Sequence, residues 1–196
     1  INADVAYALQ QYYWATGDLR FMAERGIDLL VETARFFATR ARHDAARDHY
    51  DLHDVAGPDE GHCESTNNFY TNYLARLNLR FAADMLAELA ARDPSAHAAA
   101  VRRVALRPGE PEKWRQVAAR LTLLQDAKTG VYEQYAGFFQ LPPAPPELLE
   151  QRRVWFVTVA PYQALNQPDV LMAMALLPDN FDADTLRANW EYYRDK

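Results

Sequence analysis

The sequence predicts an all-α fold, on three observations. Apolar residues recur at three- and four-residue steps through most of the chain, the period of a single buried helix face. N-terminal caps and glycine or proline stops bracket those stretches. Runs that alternate apolar and polar residues, as a half-buried strand would, are almost absent. Roughly seven helices are expected, and with long loops between pairs they suit a helical toroid better than a compact four-helix bundle. No repeat of the tetratricopeptide kind is visible.

In chain order, "ADVAYALQQYYWAT" (3–16) reads as a helix stopped by Gly17. Asp18 caps a short helix through Arg25, for which Gly26 supplies the C-terminal stop. Ile27, Leu30, Val31, Ala34, Phe37, Ala38 and Ala41 form the buried stripe of the next, with Glu32, Arg35, Thr39 and Arg42 elsewhere around it. Residues 43–65 break this period and read as loop, with a short extended piece around 50–55. Thr66 or Asn67 caps a helix whose stripe runs Tyr70, Leu74, Leu77, Phe81, Met85 and Leu89. Arg76, Arg80, Asp84 and Glu88 make its charged face. Asp93-Pro94, a cap followed by an N1 proline, opens a helix through Ala105, and another runs from about 111 to 124. "TGVYEQYAGFFQL" (129–141) is a turn followed by short strand or ordered loop. "LPPAPPELL" (141–149) is too proline-rich for regular helix and reads as a surface excursion. Gln167-Pro168 opens a short helix to Leu177, and Asp182 or Asp184 opens a last one reaching Tyr193.

Composition narrows the function classes. With 49% hydrophobic and 24% charged residues the chain is globular, and its 196 residues fit one domain, or part of one, spanning 1–196. A net charge of −6 without any dense Lys/Arg run argues against nucleic acid as a partner. No apolar run approaches the ~20 residues of a membrane span. The single cysteine, Cys63, excludes an intrachain disulfide and suits a reducing compartment, hence a cytoplasmic protein. The chain begins at Ile1 already in helical pattern, which suggests a piece of a longer polypeptide.

The polar groups concentrate in "GPDEGHCESTNNFYTN" (57–72), which holds three acids, one histidine, Cys63 and three asparagines between two core elements. Gly57-Pro58 forces a turn, so Asp59-Glu60 projects at a loop tip. Asn67, Asn68, Tyr70, Thr71 and Asn72 offer more amides and hydroxyls than helix capping uses. Either they satisfy loop backbone, or they face a polyhydroxyl ligand such as a sugar. The run His43, Asp44, Asp48, His49, Asp51, His53, Asp54 has the donor types of a zinc or iron site but no recognised ligand spacing, so no metal is assigned. Cys63 has no base partner in sequence to make it a nucleophile. Tyr12-Tyr13-Trp14 and Phe36-Phe37 fit core packing, although aromatic rings also line sugar sites.

The same stretch resembles the "GPDEYHE…NNAYTN" signature of glycoside hydrolase family 65, which includes the maltose, trehalose and kojibiose phosphorylases. The flanks are similar as well: "INADVAYALQQYYWATGD" and "ETARFFATR" upstream, "YEQYAGFF" and "NQPDVLMAMALLPDNF" downstream, all in the family's order. The resemblance implies an incomplete part of an (α/α)6-barrel catalytic domain. It implies a sugar substrate, no cofactor beyond inorganic phosphate as co-substrate, and a homodimer for the longer parent. Its general acid falls on Glu60. The family's "KQ" pair, which contacts the glucosyl unit, falls on Asn166-Gln167, so only Gln167 is kept. "YHE" has become Gly61-His62-Cys63, which alters the acceptor side. His62 and Asn68 complete the substrate-binding candidates.

The chemistry implied is inverting cleavage of an α-glucosidic disaccharide: an acid protonates the leaving oxygen while a nucleophile attacks the opposite face. Phosphate arrives ionised and needs no protein base, whereas water needs a second carboxylate roughly 6.5–9.5 Å away. Phosphorylase and hydrolase both remain open on these residues. A non-catalytic helical binding module is a third reading, prompted by the departures at Gly61, Cys63 and Asn166. A general acid has to hold its proton near neutral pH, which calls for burial or for a neighbouring negative charge from Asp59, Glu64 or phosphate.

Overall fold

A computed structural model describes residues 2–147 and 160–196. They are mostly helical, as expected, and fall into two compact units: Ile1–Tyr50 with Leu74–Leu121, and Asp51–Tyr73 with Thr122–Lys196.

In the first unit, helix α1 (Asn2–Thr16) ends where Gly17 takes a φ of +64°, a left-handed stop open to residues without a Cβ penalty. The Asp18 carboxylate accepts the Phe21 N–H at 2.9 Å and caps the single turn Leu19–Phe21. Gly26, expected to end that helix, does not. Its φ of −60° is helical, and the chain runs through one wide π turn, Met22–Gly26, straight into α2 (Ile27–Arg40). The glycine answers a packing need instead: a Cβ there would lie 2.7 Å from Met22 Sδ. Helix α2 buries Ile27, Leu30, Val31, Ala34 and Phe37, five of the seven residues its period selects, while Ala38 is half-buried and Ala41 falls just past the helix end.

Residues 42–51, read as loop in the main, form a hairpin of β1 (Arg42–Asp44) and β2 (His49–Asp51). Its turn is closed by Asp44, whose Oδ1 accepts the Ala46 N–H at 2.9 Å, and by Asp48 in the left-handed region at φ +53°. His43 Nε2 lies 3.0 Å from Asp48 Oδ1 within the hairpin, while His53 Nδ1 lies 3.4 Å from the Thr66 hydroxyl. Among the described residues no three His, Cys, Asp or Glu side chains are placed to share a metal.

Helix α3 (Phe69–Arg92) contributes buried Leu74, Phe81, Met85 and Leu89 to this unit. Asp93 caps α4 (Pro94–Arg103) by accepting the Ala96 N–H at 2.9 Å. α5 (Glu110–Arg120) stops short of residue 124 because Leu121 turns extended and bridges Tyr50. Arg35 grips Glu110 with both arms, Nε to Oε1 at 2.9 Å and Nη2 to Oε2 at 2.8 Å. It also donates to the Val104 and Ala105 carbonyls, satisfying the C-terminal end of α4.

The second unit is built on Phe69, Val131, Phe138, Val170, Ala173, Met174 and Tyr193. Each large apolar side chain fully buried there contributes about 1.5–3 kcal/mol. They come from the first turn of α3, the aromatic segment 129–141, α6 (Asp169–Leu176) and α7 (Ala183–Tyr193). Asp182 caps α7 through the Thr185 N–H. The aromatic segment is ordered loop, with one bridge from Gln125 to Tyr132 and a 3₁₀ turn at Phe138–Gln140. The proline-rich stretch follows as irregular chain over 141–145 but turns helical at 146 and 147, and its last residues, 148 and 149, lie outside the described residues. The cap of α3 is neither Thr66 nor Asn67 but Asn68, whose Oδ1 accepts the Thr71 N–H at 3.0 Å.

Candidate active site

The asparagine-rich stretch resolves into a hydrogen-bonded frame for the loop of the second unit. Asn67 takes a left-handed φ of +55°, which an asparagine tolerates. Its Oδ1 accepts the Leu52 N–H at 3.0 Å and Asn72 Nδ2 at 3.1 Å, and its Nδ2 donates to Asp51 Oδ1 at 2.8 Å. Thr122 donates to the same Asp51 oxygen at 2.6 Å, and Asn72 donates to the Thr122 carbonyl at 2.7 Å. All four side chains are buried, so these bonds satisfy groups that water cannot reach. Of the two uses open to the amides, loop backbone accounts for Asn67 and Asn72.

The next layer is a pair of fully buried carboxyls, Asp59 and Asp169, joined through the backbone. Asp169 Oδ1 accepts the Asp59 N–H at 2.8 Å, and its Oδ2 accepts Asn68 Nδ2 at 2.6 Å. Burial pushes the Asp169 carboxyl up to about 7, with the nearby Asp59 charge adding to the rise and the two donors opposing it. Asp59 Oδ1 in turn accepts the Gly61 and Asn166 N–H groups at 3.2 and 3.3 Å. Burial raises the Asp59 carboxyl too, against those same donors. The clamp leaves no space beside it: a Cβ on Gly57 would stand 2.0 Å from Asp169 Oδ2 and 2.7 Å from both Asn68 amide atoms. Glycine is required at 57 for close approach rather than for an unusual φ.

Held by this clamp, Glu60–His62 forms one 3₁₀ turn capped by Asp59. Glu60 stands exposed at its start, while the burial expected around a general acid falls on Asp59 and His62. Glu60 opens onto a cleft of about 550 Å³ whose walls include His62, Cys63, Glu64, Thr66 and Tyr135. His62 places Nε2 at 2.9 Å from the Ala164 carbonyl and Nδ1 at 2.6 Å from the Tyr135 hydroxyl. Cys63 is exposed, with Sγ 3.0 Å from the Glu60 carbonyl.

Of the sequence-derived candidates, Glu60 and His62 share the cleft wall. Asn68, Asn166 and Gln167 gather around Asp59, Asp169 and Gln134 instead. Asn68 is buried, with its amide on Asp169 and its carbonyl on the cap of α3. Asn166 binds Asp59 through its backbone N–H, and its Nδ2 is buried without a hydrogen-bond partner. Gln167 carries an exposed side chain, and its carbonyl accepts Gln134 Nε2 at 3.2 Å. Tyr135, Gln134 and Asp169 escaped the reading of the sequence as site residues. Their signal lay in the quoted segments "YEQYAGFF" and "NQPDV", but only the fold brings them to the turn.

Comparison with known proteins meets this arrangement along the whole chain. Residues 1–196 match the family described as Glycosyl hydrolase family 65 central catalytic domain. A kojibiose phosphorylase of Caldanaerobacter subterraneus subsp. tengcongensis is 36% identical over 98% of the chain and 26% of its own length. An α,α-trehalose phosphorylase of Geobacillus stearothermophilus is 33% identical, and a 1,2-α-glucosylglycerol phosphorylase of Bacillus selenitireducens 32%, each over 98% of the chain and 26% of its own length. The chain thus spans about a quarter of the length of these relatives. A solved structure of a candidate kojibiose phosphorylase from the human microbiome shares the fold, with a TM-score of 0.86 at 24% identity over 99% of the chain and 27% of that protein. With the family model matching the chain from Ile1 to Lys196, the chain belongs to glycoside hydrolase family 65.

Proposed function

We propose that the chain is part of an (α/α)6-barrel domain catalysing inverting phosphorolysis of an α-glucosidic disaccharide, with Glu60 as the general acid. The observation that carries this reading is the Glu60 turn itself. Two buried carboxyls and a glycine that admits no side chain are committed to holding one exposed glutamate over a cleft. Similarity to several glycoside phosphorylases along nearly the whole chain supports the reaction class.

In the proposed step the bond from the glucosyl C1 to the leaving oxygen breaks, and that oxygen takes the proton of Glu60. A phosphate oxygen bonds C1 from the opposite face and inverts it, giving β-glucose 1-phosphate and the free acceptor sugar. A sugar entering the cleft displaces water from the exposed Glu60 and supplies the desolvation that the turn lacks when empty. Asn166 and Gln167, beside the clamp, are assigned to the glucosyl unit, and Asn68 and His62, whose polar side-chain atoms are taken by protein partners, to positioning of the loop. Incubating the full-length protein with candidate disaccharides, with and without phosphate, tests this. Phosphate-dependent release of β-glucose 1-phosphate is expected. Turnover indifferent to phosphate would replace phosphorolysis with hydrolysis, and no turnover of any glucoside would favour a binding module.

A further inference from the structure

We infer that Tyr135 and His62 form a positioning pair that sets where Glu60 stands, an inference that rests on the proposed role of Glu60. His62 ends the turn that Glu60 begins, and its side chain is almost wholly buried. Its two ring nitrogens have fixed duties. A carbonyl only accepts, so the 2.9 Å contact with Ala164 places a hydrogen on Nε2. With that hydrogen on Nε2, the Tyr135 hydroxyl is placed to donate to Nδ1 across 2.6 Å. Tyr135 keeps its proton firmly, because burial, with the charges of Asp59 and Glu133, pushes it up to about 12.

The rings are also braced by packing. Tyr135 lies 5.2 Å from His62 and 5.5 Å from Phe138, and Phe138 lies 5.8 Å from His62, centroid to centroid. The consequence is geometric. Segment 164–166 is tied to the Glu60 turn at two points, His62 to the Ala164 carbonyl and Asp59 to the Asn166 N–H. The Asp59 tie is completely buried, whereas the His62 tie is oriented by a hydroxyl whose residue lines the cleft. Tyr135 therefore fixes the imidazole, the imidazole fixes the turn, and the turn fixes the acid relative to Asn166-Gln167.

Tyr135→Phe in the full-length protein keeps the ring packing and removes only the donor. On a disaccharide, kcat is expected to fall about 10–100-fold with KM within about threefold, the scale of a misplaced reacting group. On α-glucosyl fluoride, whose leaving group departs without a proton, the loss should stay within about threefold. His62→Gln, able to keep one bond to the Ala164 carbonyl, is expected to show the same split. Equal losses on both donors, or none on either, would overturn the inference. Wild-type protein inert towards both donors would instead sink the assignment of Glu60. The pair is then read without turnover, by neutron diffraction from wild-type crystals. Deuterium on Nε2 and on the Tyr135 oxygen pointing at Nδ1 upholds it, and deuterium on Nδ1 overturns it.

Discussion

Replacing Gly57 with alanine probes the clamp through a single methyl group. The new Cβ would start 2.0 Å from Asp169 Oδ2, whereas real Cβ contacts stay beyond 3.0 Å, so the carboxylate has to retreat by about 1 Å. Two bonds oppose that retreat, 2.8 Å to the Asp59 N–H and 2.6 Å to Asn68 Nδ2. The second cannot simply follow, because the Asn68 amide also lies 2.7 Å from the new atom and its Oδ1 caps α3. Losing both bonds in a buried setting costs about 2–6 kcal/mol, at roughly 1–3 kcal/mol for each group left unpaired. The comparison is Gly17→Ala: Gly17 has a φ of +64° and nothing within 4 Å of its would-be Cβ, so only backbone strain of about 1–2 kcal/mol applies. Urea denaturation of the full-length variants measures both costs, and initial rates on the preferred disaccharide report the Glu60 turn. Gly57→Ala should be the more destabilising, by about 2–3 kcal/mol at the middle of these ranges, and should lose most activity. A Gly57→Ala protein as stable and active as Gly17→Ala would refute the clamp.

Three further outcomes follow from the same geometry. Asp169→Asn leaves a buried amide facing a donor and should destabilise by about 2–4 kcal/mol. Its pH dependence has a definite sign. A folded-state value of about 7 against the ordinary 3.8 means the folded state binds the extra proton, so the wild-type advantage is full below pH 4 and fades as pH rises through 7. The gap between wild type and Asp169→Asn, measured by denaturation at pH 5 and pH 8, should therefore shrink at the higher pH, and a gap that widens would contradict the raised titration. Asn67→Ala removes three buried side-chain bonds and strains a left-handed backbone, for about 2–4 kcal/mol on denaturation, and Asn67→Gly should recover only the backbone part. The 196-residue chain alone should show no glycoside turnover, since the phosphate site and further glucose contacts are expected from the remaining length of the relatives, and measurable phosphorolysis by it would refute that placement.

The helices were legible because their signals are local. Asp18, Asp93 and Asp182 cap what they were expected to cap, and the stripe of α2 is buried from Ile27 to Phe37 as its period demands. Gly26 misled because a glycine before a new apolar stripe looks like a stop, while its actual partner, Met22, lies one π turn back. The hairpin at 42–51 was hidden because its strands, Arg-His-Asp and His-Tyr-Asp, carry almost no apolar alternation. At the site, the motif located Glu60 but not its support. Asp59 and Asp169 are 110 residues apart, and His62 and Tyr135 are 73 apart. No periodicity encodes such pairings. The surplus of asparagines was visible in advance, and its use became clear only when Asp51, Leu52 and Thr122 were seen around Asn67 and Asn72.

The most direct test of the central claim is Glu60→Gln in the full-length protein, assayed on two donors that differ only in whether the leaving group needs a proton. Glutamine preserves size and hydrogen bonding but cannot donate the proton, so disaccharide phosphorolysis should fall on the order of 10²–10⁴-fold. Turnover of α-glucosyl fluoride should survive to a far greater extent. Equal losses on the two donors would mean that Glu60 positions the substrate, and the general acid would have to be sought elsewhere.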